Sequence, residues 1–123
     1  MAVQTVKIER KKQVIDAQGK VLGRIATEAA SFLRGKHKSN FSYRMDNGDF
    51  VEITNASQLI VTGKKMEQKI YYRHSGWIGN LKSEQMDKLF AKNPEKVVKL
   101  AISRMLPKNK LRAKMLARLS IQK

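Results

Sequence analysis

QVIDAQGKVLGRIATEAASFLRG, residues 13–35, is the stretch from which the fold is read. Gln13-Val14-Ile15-Asp16-Ala17 has the short β-branched character of a strand, and Gly19 breaks it. From Val21 the apolar residues fall at Val21, Leu22, Ile25, Ala26, Ala29, Phe32 and Leu33. That is helical spacing, and Gly35 ends the run as a carboxyl-terminal stop.

Downstream, Asp46-Asn47-Gly48-Asp49 is a turn signal, followed by strand-like Phe50–Thr54 and, after a short polar break, strand-like Leu59–Thr62. Lys69–Arg73 reads as a further strand, on which adjacent Tyr71 and Tyr72 face opposite ways. Ser83 is placed to cap a short helix over 84–91. Asn93-Pro94-Glu95 starts a stronger one, with a capping side chain, proline at the first helical position and an acid in the first turn. That helix, 94–106, carries Val97, Val98, Ala101, Ile102 and Met105 on one face and stops at Pro107. Asn109 then caps a last helix with Leu111, Met115, Leu116 and Leu119 inward. Strand, helix, strands, then helices make an α/β layer sandwich around a small sheet. No repeat or linker divides the chain. The expectation is one domain, 1–123, with a basic arm at 1–12 and a basic helical segment at 107–123.

The chain has 123 residues, with 26 Lys and Arg against 10 Asp and Glu, for a formal charge of +16. A hydrophobic content of 41% supports a real core, and charged residues at 29% are close to the usual quarter, so the oddity is the sign of the charge. The implied partner is a polyanion. With no cysteine there is no disulfide framework, no thiolate zinc site and no thiol nucleophile. Apolar runs never exceed three residues, so a soluble, unsecreted protein is expected.

The cations gather in windows without acids. Residues 29–45 hold Arg34, Lys36, His37, Lys38 and Arg44 at the end of the first helix. Cations there complement the helix dipole, but one suffices for that, and the cluster points to nucleic acid. Residues 107–123 hold Lys108, Lys110, Arg112, Lys114, Arg118 and Lys123, and Lys110, Lys114 and Arg118 recur every four residues as a stripe beside the apolar face. A membrane-surface or calmodulin-type helix is the alternative for that segment. A third set, Lys64, Lys65, Lys69, Arg73, His74 and Lys82, brackets Ser75-Gly76-Trp77-Ile78-Gly79. Trp77 is a candidate for stacking on an unpaired base, with a core position as the other reading. Without a helix-turn-helix, zinc finger or common aromatic RNA-binding signature, an irregular RNA surface read by shape fits better than duplex DNA.

Catalytic and metal chemistry find little support. His37 and His74 are the only histidines; each lies amid positive charge, a setting that suits hydrogen bonding to phosphate or ribose. Asp46 and Asp49 read as turn residues in preference to magnesium ligands. Gly35-Lys36 and Gly63-Lys64 lack the rest of a phosphate loop. No catalytic residue, metal or cofactor is expected.

Taken in order, the motifs resemble those of the large-subunit ribosomal protein thirteen family in its bacterial or organellar form. The resemblance runs through Val14-Ile15-Asp16-Ala17, Gly19–Arg24, Leu33-Arg34-Gly35-Lys36-His37-Lys38, Gly48-Asp49-Phe50-Val51 and Val61–Lys65. It continues through Tyr71-Tyr72, His74-Ser75-Gly76, Leu81-Lys82, Pro94–Val98 and Met105–Leu111. It implies a three-layer α/β/α sandwich with a small, mostly parallel, four-stranded sheet. It further implies a structural constituent of the large subunit that binds 23S-type rRNA, joins early in assembly beside neighbouring large-subunit proteins, and is not an enzyme. The location implied is the cytoplasmic ribosome, or an organellar matrix for an organelle-encoded form. A free RNA-binding regulator acting on mRNA is the alternative. The expected RNA-binding set is Arg24, Arg34, Lys36, His37, Lys38, Arg44, Lys64, Lys65, Arg73, His74, Ser75, Trp77, Lys82, Lys108, Lys110, Arg112, Lys114 and Arg118, with Lys36, His37, Lys38, His74, Ser75 and Lys108 carried by the family's contact motifs. Replacing Lys36 and Lys38 with Glu is expected to block incorporation and leave the isolated fold intact. Two positions depart from the family pattern: Asn80 follows Gly79, and Arg112-Ala113 stands where Gly-Arg is common, making Arg112 a candidate to take over the neighbouring Arg contact.

Overall fold

The computed structural model describes residues 9–39 and 41–123. The elements are β1 (Lys12–Asp16), α1 (Leu22–Arg34), β2 (Phe50–Thr54), a 3-10 turn (Ala56–Gln58), α2 (Lys65–Gln68), β3 (Ile70–His74) and β4 (Leu81–Gln85). They continue with α3 (Met86–Lys92), α4 (Pro94–Met105), α5 (Leu111–Ala117) and β5 (Leu119–Ile121). The α/β class read from the sequence is the observed one.

Strands β1, β2 and β5 form a parallel sheet in the order β1-β2-β5, with Ile15 opposite Ile53 and Ile53 opposite Ile121. Alternation along the strands sends Ile15, Val51 and Ile53 to one face, where they are buried against Ile25, Ala26, Ala29 and Leu33 of α1 and Val98 and Ile102 of α4. Alanines on the buried stripe of α1 let α4 pack closely on it. On the opposite face Val14 remains 62% and Phe50 47% exposed, so among the described residues helices cover only one side. The third layer expected of a sandwich is not seen there.

The fourth strand differs too. At residues 59–62 only Ile60 pairs, donating its N–H to the Lys20 carbonyl (2.8 Å) and accepting from Leu22 N–H (3.0 Å). The pairing ends there because the facing chain turns into α1 at Leu22, and the Ile60 carbonyl supplies a partner for an N–H that helix α1 leaves orphaned.

The remaining strand-like segment lies outside this sheet. β3 and β4 form an antiparallel hairpin beside α3 and α4, over a second small core of Met86, Leu89 and Val97. Ser83, expected to cap a helix over 84–91, and the first two residues of that helix extend within β4 because Leu81–Gln85 pair with β3, and α3 begins at Met86. At the carboxyl end, Asn109 does what its sequence position suggests: its Oδ1 accepts from Leu111 N–H at 3.0 Å. The last helix stops at Ala117, however, and Leu119 belongs to β5, where Gln122 N–H donates to the Ile53 carbonyl at 2.8 Å. Met115 is buried in the main core with Leu111 and Leu116 packed beside it, so the apolar face of α5 is core and not a membrane-surface stripe. No helix among the described residues is long and apolar enough to cross a membrane.

Candidate nucleic-acid interface

The basic windows divide into cations that hold the fold and cations that face outward. The first group surrounds the loop at 46–49, which crosses the carboxyl end of α1. Gly35 ends that helix in the left-handed region at φ 80°, and its N–H donates to the Ser31 and Phe32 carbonyls. The crossing loop comes so near that a Cβ on Gly48 would lie 1.7 Å from the Leu33 carbonyl oxygen. Asp49 N–H donates to the Phe32 carbonyl at 3.0 Å.

Two carboxylates, Asp49 buried and Asp46 partly so, organise this junction. Asp49 accepts from Lys11 N–H (3.1 Å), from the Gln13 amide (3.3 Å), from His37 Nε2 (2.7 Å) and from Lys38 Nζ (2.8 Å). Burial alone would push its carboxyl up; the donors, Lys38 foremost, outweigh this and hold it well below the usual carboxylate range. Asp46 pairs with Arg118, whose guanidinium also donates to the Leu33 (3.1 Å) and Asp49 (3.0 Å) carbonyls. Burial pulls the Arg118 pKa down and Asp46 pulls it back, and the group stays a cation. Arg10 donates to the Gly48 (2.7 Å) and Asp46 (2.9 Å) carbonyls.

Three sequence expectations change here. Arg118, with its side chain 8% exposed, leaves the expected Lys110–Lys114–Arg118 stripe: it lies at the end of α5, between the helix and β5, and turns to Asp46. His37 and Lys38 turn to Asp49, and Lys38 Nζ donates further to the Glu9 carbonyl at 2.6 Å, so Lys38→Glu would strike the fold itself. Asp46 and Asp49 are neither open turn residues nor gathered with other acids; no group of three potential metal ligands occurs among the described residues. Of the arm at 1–12, residues 1–8 lie outside the described residues, and Arg10 and Lys11 are anchored to this junction.

Outward-facing cations remain at each window. Lys36 and Arg44 are exposed on the loop after α1, and Arg24 on its solvent face. Arg34 lies over the rings of Phe41 (5.7 Å) and Tyr43 (5.5 Å), which meet edge to face. Tyr43 is 74% exposed and offers an aromatic plane that reading the window for charge alone missed, although it sits next to Arg44. Lys64 and Lys65 are exposed at the start of α2, and Lys108, Lys110 and Lys114 along the final segment with Arg112 partly buried.

The hairpin supplies the third set. Trp77 is 75% exposed at its tip with Ile78 beside it, which removes the core reading. Gly76 and Gly79 adopt positive φ at the turn, where a Cβ would be strained. Gly76 N–H donates to His74 Nδ1 at 2.9 Å; in the neutral ring this leaves the proton on Nε2, directed to solvent as a donor. Ser75 is exposed alongside. Tyr71 is half-buried and Tyr72 exposed, as adjacent strand positions require. Arg73 and Lys82 face a cleft shared with Lys92, Lys96 and Arg104. Those last three were not anticipated, because each sits singly among the acids and apolar residues of α3 and α4.

The family model described as Ribosomal protein L13 matches residues 10–123. A protein of Chloroflexus aggregans named large ribosomal subunit protein uL13 is 51% identical over 114 residues, covering 93% of this chain and 80% of the relative. Its namesake in Thermotoga petrophila is 51% identical over 93% of this chain and 76% of its own length, and that of Clostridioides difficile 48% identical over 93% and 80%. The family is one of ribosomal proteins and not of enzymes. Matched over almost its whole length by model and relatives alike, the chain belongs to the ribosomal protein L13 family.

Proposed function

We propose that the chain is a structural constituent of the large ribosomal subunit, a single domain that binds 23S-type rRNA early in assembly and packs beside neighbouring large-subunit proteins. It works without cofactor, small-molecule substrate or membrane, in the cytoplasmic ribosome or, for an organelle-encoded form, in the organellar matrix. One observation carries this reading. The ion pairs among the described residues all run to Asp46, Asp49 and Glu52, and Lys36, Arg44, Lys64, Lys65, Lys108, Lys110, Arg112 and Lys114 have no acid partner among those residues. Unpaired surface cations on one small domain repel one another, and a phosphate backbone relieves that repulsion by displacing its own counterions.

Sedimentation of gently lysed cells through a sucrose gradient, at low and high salt, tests the proposal. The expected result is co-migration with the large subunit that survives a salt wash. A protein that stays near the top of the gradient at both salts would instead be a free regulator acting on mRNA. Lys36→Glu combined with Lys108→Glu is expected to reduce incorporation while leaving the thermal midpoint of the isolated protein in place, since neither side chain is in an ion pair among the described residues and both are exposed.

A further inference from the structure

Between the β3–β4 hairpin and helices α3 and α4 lies a cleft of about 550 Å³. Its cations come from both walls. On the hairpin, Arg73 stands directly opposite Lys82 across the strand pair, and Tyr71 opposite Glu84 two residues away on the same face. On α4, Lys96, Leu100 and Arg104 follow at intervals of four and so share one stripe, with Leu89 and Lys92 of α3 beside them. Arg73, Lys82, Lys92, Lys96 and Arg104 thus confront a single acid of the cleft lining, Glu84, and none of the five is in an ion pair among the described residues.

Like charges placed directly opposite each other on one face of a sheet are destabilising. Arg73 and Lys82 therefore impose a cost on the free hairpin that an anion held between them removes. Crowding extends to the floor, where the Arg104 guanidinium and Lys69 Nζ lie 5.5 and 5.4 Å from the Tyr71 ring centroid. Burial, with Arg104 and Lys65 nearby, lowers the pKa of Lys69. The floor itself is apolar, formed by Tyr71, Leu89 and Leu100. Cationic walls over an apolar floor match a molecule that is part phosphate and part flat, weakly polar ring.

Resting on the RNA-binding reading above, we propose that this cleft takes one unpaired nucleotide of a single RNA strand, its phosphate between Arg73, Lys82 and Lys96 and its sugar and base over the floor. A cleft of this volume has the size of a small-ligand site and does not admit a duplex. The outer cations, Lys36, Lys64, Lys65 and Lys108 among them, contact backbone of either form.

The experiment uses the full chain, a short labelled oligouridylate and an RNA duplex carrying the same number of phosphates, with affinities measured by fluorescence anisotropy at fixed salt. Lys82→Ala and Lys96→Ala are each expected to weaken the oligouridylate about tenfold, the loss typical of one charge-assisted contact. The duplex is expected to change by less than about twofold, within the small effect of one phosphate contact among many. Lys82→Ala is also expected not to lower the thermal midpoint of the RNA-free protein, since it removes a like-charge neighbour. Equal losses on both probes, or none on either, overturn the cleft assignment while leaving RNA binding standing. Uridine monophosphate displacing the oligomer with equal affinity makes this a site for a free nucleotide and also overturns it. A wild-type chain that binds neither probe overturns the RNA-binding reading together with the cleft, and one that binds only the duplex overturns the cleft alone.

Discussion

Arg118→Met separates the fold-holding cations from the outward ones. The substitution keeps an apolar stem of similar length and removes the guanidinium that joins Asp46 to the carbonyls of Leu33 and Asp49. Removing one partner of a buried ion pair costs about 3–5 kcal/mol. Arg10, 3.9 Å from Asp46, remains to take up part of that charge, which favours the lower end. Each of the two carbonyls loses a donor at roughly 1 kcal/mol. A total near 5 kcal/mol is a large share of the roughly 5–15 kcal/mol that hold a domain of this size folded. With about 3–5 °C per kcal/mol, the thermal midpoint should fall by about 15–25 °C. Urea denaturation followed by circular dichroism measures the loss, and RNA affinity is then compared per folded molecule at low temperature. The expected outcome is a large loss of stability, with a change in affinity per folded molecule no greater than loosening of the 46–49 segment produces. A variant that keeps its stability within about 0.5 kcal/mol, the range of an ordinary surface substitution, and instead binds RNA more weakly would refute the interior assignment of Arg118.

Gly48→Ala should be among the most damaging single changes, because its Cβ would stand 1.7 Å from the Leu33 carbonyl oxygen and backbone must move to admit it; the check is the fraction of soluble, cooperatively unfolding protein. Asp49→Asn should destabilise by about 3 kcal/mol at neutral pH, at the lower end for a broken buried pair because Lys38 and His37 keep some contact with water. The wild-type Asp49 carboxyl is held below its unfolded value near 4, so its contribution is complete above about pH 5 and fades as the pH falls towards the folded pKa. The stability gap between wild type and Asp49→Asn should therefore narrow on acidification, and a gap that stays constant from pH 6 to pH 3 contradicts the assignment. Lys64→Glu with Lys65→Glu should weaken RNA binding for any sequence and flatten the dependence of log affinity on log salt by about two contacts' worth, read from a salt titration.

The elements easiest to read from the sequence were those with a strong period and a clear end. α1 followed from Ile25, Ala26, Ala29 and Leu33 with Gly35 behind them, and α4 from Pro94 at its first position. β5 was hidden because Leu119 continues the spacing of Leu111 and Met115, so three strand residues read as the last turn of a helix. β4 was hidden because Ser83 followed by Glu84 has the look of a helix start, and only pairing with β3 overrides it. The interface was legible as windows of charge but not as directions. Arg118 meets Asp46 across 72 positions of chain, and no local pattern marks which lysine or arginine of a basic run will turn inward. Trp77 and Tyr43 raise the same difficulty for aromatics, since both are large, few and yet exposed.

That inward turn has a consequence for binding. The loop after α1 carries Lys36 and Arg44 outward, while its neighbours His37, Lys38 and Asp46 to Asp49 are tied to β1, to α1 and to Arg118. Ordering a flexible, self-repelling basic loop on RNA costs about 0.5–1.5 kcal/mol for each long side chain fixed, besides the backbone. Here the two carboxylates already fix the backbone around Lys36, so RNA has mainly to order the outward side chains themselves. The acids thus act twice. They neutralise cations that would otherwise repel their neighbours inside the fold, and they hold the loop in a shape that a phosphate backbone can meet without first folding it. Asp49→Asn should accordingly weaken RNA binding even under conditions where the variant is fully folded, although Asp49 itself is buried and of the wrong sign to touch RNA. Amide hydrogen exchange at 35–39 in the folded variant, measured beside its affinity, checks the link: faster exchange should accompany weaker binding, and weaker binding with unchanged exchange would break it.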